Sequence, residues 1–204
     1  GGADLLLIET CFDALNVKAA LAAIQECSDK TPVIVSVSVG DRSGRTLTGQ
    51  TLKAFYTAIS HYPILAFGLN CSLGAAEMTP LMEEISQWCD CAVSCYPNAG
   101  LPNEMGGYDQ SPEDMAQAVK AMAKKGLLNI AGGCCGTTPD HIRAIATALA
   151  GTAPRQLPNF SSSKTAHFKD EKTKSRDSSS KTAHFKDERP ALTVSGQETT
   201  TVDT

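Results

Sequence analysis

The sequence predicts an α/β fold built from repeated βα units around a parallel sheet. Three observations carry that reading. Short β-rich runs alternate five times with helical stretches over residues 1–150. Successive β-rich runs start roughly 27–37 residues apart, the length a strand, a crossover helix and two loops require. Residues able to do chemistry collect just after the β-rich runs, where parallel α/β folds gather their sites.

The first β-rich run is Leu5–Ile8, and a helix follows over Ala14–Glu26, with Asp13 placed to cap it. Val33–Val39 is the second strand and Leu52–Ser60 the second helix. Ile64–Leu69 and Ala75–Trp88 form the third unit, and Cys91–Cys95 and Pro112–Lys124 the fourth. Leu127–Ala131 and Pro139–Ala150 form the fifth. Ser111-Pro112-Glu113-Asp114 supplies an N-cap, a proline at the first helical position and acids in the first turn. Thr138-Pro139-Asp140 repeats that design, and Gly126 and Gly151 stand where helices should stop. Five units do not close an eight-stranded barrel, and the chain opens almost directly into a buried-looking strand. It reads as starting in the middle of a domain.

Composition narrows the function. The 204 residues are 42% hydrophobic and 20% charged, enough for a core. No apolar run reaches the ~18–20 residues of a membrane helix, so no membrane partner is expected. The start lacks a basic segment and carries Asp4 and Glu9 within its apolar stretch, which argues against a secretion signal. A net charge of −4 gives no electrostatic case for nucleic acid. Eight cysteines without a secretion signal read as thiols or metal ligands in a cytoplasmic protein. All eight lie before residue 159.

Residues 159–204 differ in kind. SSSKTAHFKDE occurs at 161–171 and again, identically, at 178–188. The segment is rich in Ser, Thr, Lys and Asp and poor in apolar residues, so disorder is expected. His167 and His184 of the repeat read as parts of a solvated linker.

Cys71 and the adjacent Cys134-Cys135 stand out among the thiols, because all three follow predicted strands. Three thiolates suit zinc and leave one tetrahedral position open. Glycines 132, 133 and 136 would let the backbone bend so that both neighbours face one ion. The alternative is that these are small buried hydrophobes. Cys89, Cys91 and Cys95 are weaker candidates, Cys11 suits small-residue packing, and Cys27 ends a helix. Glu9 closes an apolar strand and must find a donor or face a polar cavity, where it could hold an ammonium. Asn70 either orients a loop or touches substrate. His61 and His141 read as surface residues near helix ends. Asp41-Arg42-Ser43-Gly44-Arg45 is no phosphate-binding loop, having one glycine and no Gly-Lys-Ser/Thr.

Five motifs in order carry a resemblance: GADLLLIETCFDALNVKAAL, DRSGRTLTGQ, FGLNCSLGAAEM, PNAGLPNEMGGYD and NIAGGCCGTTPDHI. Together they are similar to the homocysteine-binding domain of cobalamin-dependent methionine synthases, within the homocysteine S-methyltransferase family. The resemblance covers residues 1–158, ending in APRQLP, and leaves 159–204 as linker. ALTVSGQE near the end is similar to the start of the linker toward that family's folate-binding module.

The resemblance implies a TIM-type (β/α)8 barrel, with this chain supplying its last five βα units. It implies Zn2+ held by Cys71, Cys134 and Cys135, and homocysteine bound through Glu9, with Asn70 beside Cys71 as a further candidate for substrate contact. It implies methyl transfer from methylcobalamin, with the cobalamin- and folate-binding modules as partners. Betaine- or S-methylmethionine-dependent enzymes share the Asn-Cys and Gly-Gly-Cys-Cys-Gly elements. A structural zinc protein closed by Cys11, Cys91 or Cys95 is the alternative of another class.

Overall fold

The computed structural model describes residues 2–27 and 30–158, and the backbone of 192–195 and 199–202. Five parallel strands alternate with five helices. They are β1 (Leu6–Cys11), α1 (Ala14–Cys27), β2 (Val33–Val37), α2 (Leu52–Ile59) and β3 (Ala66–Gly74). After these come α3 (Ala75–Trp88), β4 (Ala92–Asn98), α4 (Pro112–Lys124), β5 (Ile130–Ala131) and α5 (Pro139–Leu149).

The strands lie side by side in chain order, every neighbouring pair parallel. A doubly wound sheet reverses its order part-way; this one does not, so it winds in one direction like the wall of a barrel. The wall is open, with β1 and β5 as its edges.

The period of two sorts the side chains. Val33, Val35, Val37, Phe67, Leu69, Val93 and Cys95 share one core with Val17, Phe55, Met78, Met82, Met115 and Met122 of the helices. Phe67 is its aromatic centre, with ring centroids 5.0 Å from Tyr56 and 6.1 Å from Trp88. The alternate positions of the same strands carry Ser36, Asn70, Ser94 and Asn98, all buried. One face of the sheet is therefore covered by helices, and the other, concave face carries the polar residues.

The helix starts follow the sequence logic. Asp13 Oδ1 accepts from the Leu15 N–H at 2.8 Å, Thr51 Oγ1 from Ala54 at 3.2 Å and Ser111 Oγ from Asp114 at 3.1 Å. His141 corrects its surface assignment, because it is buried. Its Nδ1 accepts from the Thr138 N–H at 3.2 Å, and its Nε2 meets the Gln110 carbonyl at 2.9 Å. It closes the start of α5 and ties it to the segment before α4.

β5 is shorter than the five residues expected. The Asn129 side chain accepts from the Val93 N–H at 2.9 Å, and Leu128 O accepts from the Arg155 N–H, so the run before Ile130 is held without a strand ladder. Leu192–Ser195 and Thr199–Val202 pair as an antiparallel hairpin within the stretch expected to be disordered. Their Thr and Val content suits strands. The duplicated segment, with His167 and His184, lies outside the described residues.

The β1 edge presents Leu5, 44% exposed, and Leu7, 41% exposed. An open row of backbone groups beside apolar side chains is a template for pairing. The chain should therefore bind a hydrophobic dye and self-associate, read by dye fluorescence and sedimentation. A dye-silent monomer with a cooperative thermal transition would contradict this.

Candidate metal centre

The C-terminal ends of the strands break their regular form where the chemistry-bearing residues stand. The β1–β2 register shifts between Ile8 and Cys11, and the β3–β4 register shifts between Asn70 and Gly74. Thr10 (φ 58°), Cys71 (φ 64°) and Ser72 (φ 65°) are the described non-glycine residues with positive φ. For a β-branched residue such as Thr10 that conformation is costly and needs support.

Asn70 supplies the support. Its side-chain Oδ1 accepts from the Thr10 N–H at 3.0 Å, and its Nδ2 donates to Thr10 Oγ1 at 2.8 Å. Ser36 Oγ donates to the same Oδ1 at 2.7 Å. The second Nδ2 hydrogen faces Cys134 Sγ at 3.8 Å. Asn70 is buried and every polar atom of its carboxamide is engaged within the protein.

Cys71, Cys134 and Cys135 converge. The Sγ atoms of Cys71 and Cys135 are 3.5 Å apart, those of Cys134 and Cys135 are 4.0 Å apart, and all three lie within 4.8 Å of one another. Two adjacent residues face one point because the loop is pinned to the end of β4. The Cys134 N–H donates to Pro97 O at 2.8 Å, the Cys135 N–H to Asn98 Oδ1 at 3.0 Å, and Cys135 O accepts from Ala99 at 2.9 Å. Gly136 then turns at φ 78°, where a Cβ would stand 2.3 Å from Tyr108 Cβ. No side chain fits there.

The electrostatics are those of crowded thiols. Burial pushes the Cys134 thiol up to about 11; the Asn70 amide opposes this, and Cys71 and Cys135 add to it. Burial would also raise Cys71, but the Ser72 N–H, the two neighbouring thiols and Asn98 favour its thiolate and bring it below its ordinary value. Tyr108 is held high by desolvation and by the thiols beside it.

Three soft donors at these separations fit zinc. Among the described residues no fourth His, Cys, Asp or Glu joins the group. Cys95 is buried against Met78 Sδ at 3.7 Å, and Cys91 lies beside Cys89 before β4, at the other end of the sheet. Cys11 ends β1 in contact with the helix-side core, and Cys27 is exposed at the end of α1.

Residues 1–149 match the family described as homocysteine S-methyltransferase. The chain belongs to that family. Its fold is similar to the oxidised form of homocysteine methyltransferase MmuM from Escherichia coli, at 22% identity and TM-score 0.59, over 72% of this chain and 46% of that one. The metallated form of the same protein is similar at 24% identity and TM-score 0.54, over 72% and 45%. The chain thus spans about half the length of the solved structures it matches. The open five-stranded wall is part of the barrel those chains share.

Glu9 stands exposed at the end of β1, on the same end of the sheet as the thiols. Its charge reaches Tyr96 of β4, whose hydroxyl is raised chiefly by burial with a smaller effect from Glu9. Ile8 packs against the helix-side core, and Glu9 alternates with it on the opposite face of the strand. Exposed His61 agrees with its surface assignment. Asn98 and Thr10 carry structural roles not assigned from sequence. A polar side chain closing the Cys91–Cys95 run after a proline was the signal for Asn98; nothing local marked Thr10.

Two outcomes follow for this centre. Cys71→Ala, Cys134→Ala and Cys135→Ala should each abolish stoichiometric zinc by atomic emission, since the described residues hold no spare ligand beside the three thiols, whereas Cys27→Ala should retain it. Asn70→Ala should cost about 1–3 kcal/mol in urea unfolding, because the Ser36 hydroxyl and the Thr10 amide lose their partner.

Proposed function

We propose that the protein, with a complete barrel, transfers a methyl group to the sulfur of homocysteine, giving methionine. The observation that carries this reading is a three-thiol cluster with no fourth ligand among the described residues, at the strand ends of a homocysteine S-methyltransferase fold. A structural zinc site would be closed by four protein ligands. This one leaves a position for a substrate sulfur.

Cys71, Cys134 and Cys135 would hold Zn2+. When bound, zinc supplies acidity: it favours the thiolate of a coordinated thiol near neutral pH, and thiolate is the nucleophilic form. The chain's own residues do the rest. Asn98 and Pro97 fix the backbone of the cysteine pair, and Asn70 fixes Cys134 against the end of β1. The Glu9 carboxylate, open to solvent on the concave side, offers a partner for the homocysteine ammonium. Asn70 acts on substrate through the geometry of Thr10 and Cys134, since its own polar atoms are engaged within the protein. Methyl transfer between sulfur and a donor is an in-line displacement, so alignment is the main requirement and no protein nucleophile is needed.

Methylcobalamin, presented by a separate module, is the proposed methyl donor. The stretch Pro97-Asn98-Ala99-Gly100-Leu101-Pro102-Asn103 supports it through its resemblance to cobalamin-dependent methionine synthases. The module would be carried with a folate-binding module beyond residue 158, with 1–158 as the catalytic unit and 159–204 as linker. The family match over residues 1–149 equally accommodates a second reading, in which betaine or S-methylmethionine is the donor. Supplying each donor in turn to the full-barrel protein separates the two by methionine formed.

In that protein, homocysteine binding should release about one proton per site, measured by calorimetry in buffers of different ionisation enthalpy. Glu9→Ala should weaken homocysteine roughly ten- to a hundredfold through loss of a charge-assisted contact, with zinc content unchanged. Loss of zinc in this variant would make Glu9 a ligand or a fold determinant instead.

A further inference from the structure

A second group of thiols lies at the opposite end of the sheet, between the end of α3 and the start of β4. The Sγ atoms of Cys89 and Cys91 are 3.5 Å apart, with only Asp90 between them in the chain. Cys89 is fully buried and Cys91 is partly open. The proposed methyl transfer uses neither.

The surroundings are specific. The buried Arg155 guanidinium donates to Cys91 O at 3.1 Å, to Ser86 O at 3.0 Å and to Cys89 O, so a cation fixes the backbone on both sides of the pair. Tyr56 OH donates to Asp90 Oδ1 and lies 3.9 Å from Cys91 Sγ. Two side chains from distant parts of the fold, Arg155 and Tyr56, thus hold the segment in which the two sulfurs are in contact.

From this geometry we propose that Cys89 and Cys91 form a redox site, distinct from the metal centre, that a hydroperoxide closes to a reversible disulfide.

Their acidities suit that chemistry. Contact with Cys91 brings the Cys89 thiol below its ordinary value against the effect of burial, with Arg155 adding to it, while contact with Cys89 pushes Cys91 up. The contact lets each sulfur stabilise the other's thiolate, and the partly open Cys91 is the one a peroxide can reach. Ionised through that contact, the Cys91 sulfur attacks the peroxide oxygen, breaking the O–O bond, forming a sulfenic acid and releasing an alkoxide that takes a proton as ROH. The neighbouring thiol attacks that sulfur and forms the S–S bond, and the hydroxide expelled leaves as water with the thiol's proton. Two thiols and ROOH become a disulfide, ROH and water; the sulfurs are oxidised and the peroxide reduced. A ring spanning one intervening residue is strained, which makes the bond easily reduced.

Peptide mapping of the full chain tests this. The native protein is treated with hydrogen peroxide, its remaining thiols are alkylated after unfolding, and it is cleaved on the N-terminal side of Asp90. That cut separates Cys89 from Cys91, so their disulfide appears as two joined peptides that dithiothreitol releases. The free thiols of the pair should disappear about tenfold faster than that of exposed Cys27. The link should vanish in Cys91→Ser and persist in Cys95→Ser. Loss of the pair's thiols no faster than Cys27, or a link to Cys89 that survives Cys91→Ser, would overturn the proposal. The measurement on the unmutated chain stands even if a variant fails to fold, and it is independent of zinc and of methyl transfer.

Discussion

The carboxamide of Asn70 is the constraint on which the site depends. From β3 it holds Thr10 at the end of β1, takes a hydrogen bond from Ser36 on β2 and reaches Cys134 in the loop after β5. Thr10 must adopt a backbone conformation that its β-branched side chain resists, and the matched donor and acceptor of one amide compensate for it. The same amide adjoins Cys71 in the chain. A single buried group therefore relates three strand ends and two of the three thiols, and it does so in a region sheltered from water, where an unsatisfied amide would be costly.

This arrangement explains the division of the sheet. Helix-facing positions are Val, Phe, Leu and Cys, and they supply a core like that of any parallel α/β protein. Concave-facing positions toward the carboxyl ends of the middle strands are Ser36, Gly68, Asn70, Ser94, Tyr96 and Asn98. Hydrophobic burial fixes where the strands lie, and the polar network fixes how their ends leave the sheet. The register shifts after Ile8 and Asn70 occur where control passes from the first to the second.

The sequence made much of this legible. The bounds of α3 and α4 follow directly from the apolar spacing and, for α4, from the Ser111-Pro112 start. The vicinal cysteines between glycines pointed to a common ion because small residues at a strand end allow a bend. His141 was not legible: it stands on the first turn of α5, among polar neighbours, and is buried only because the Gln110 carbonyl comes from far along the chain to meet it. The role of Asn70 was half legible for the same reason, since its partners Thr10, Ser36 and Cys134 are remote in sequence. β5 shortened because a side chain, Asn129, took over a ladder bond, which no strand propensity encodes.

Arg155 has a topological consequence. Its guanidinium grips the end of α3 and the start of β4, and its backbone carbonyl accepts from Asn129 Nδ2 at 2.8 Å. The chain is thereby moored at the amino-terminal rim of the sheet, on the far side from the three thiols. Anything tethered beyond this point sets out from the wrong side of the wall and must travel around it to meet an acceptor. An extended chain advances at most ~3.3–3.6 Å per residue, so a dozen residues give a reach of roughly 40 Å. For a donor delivered by a tethered module, encounter frequency would be governed by tether length and stiffness as much as by the chemistry of the cleft.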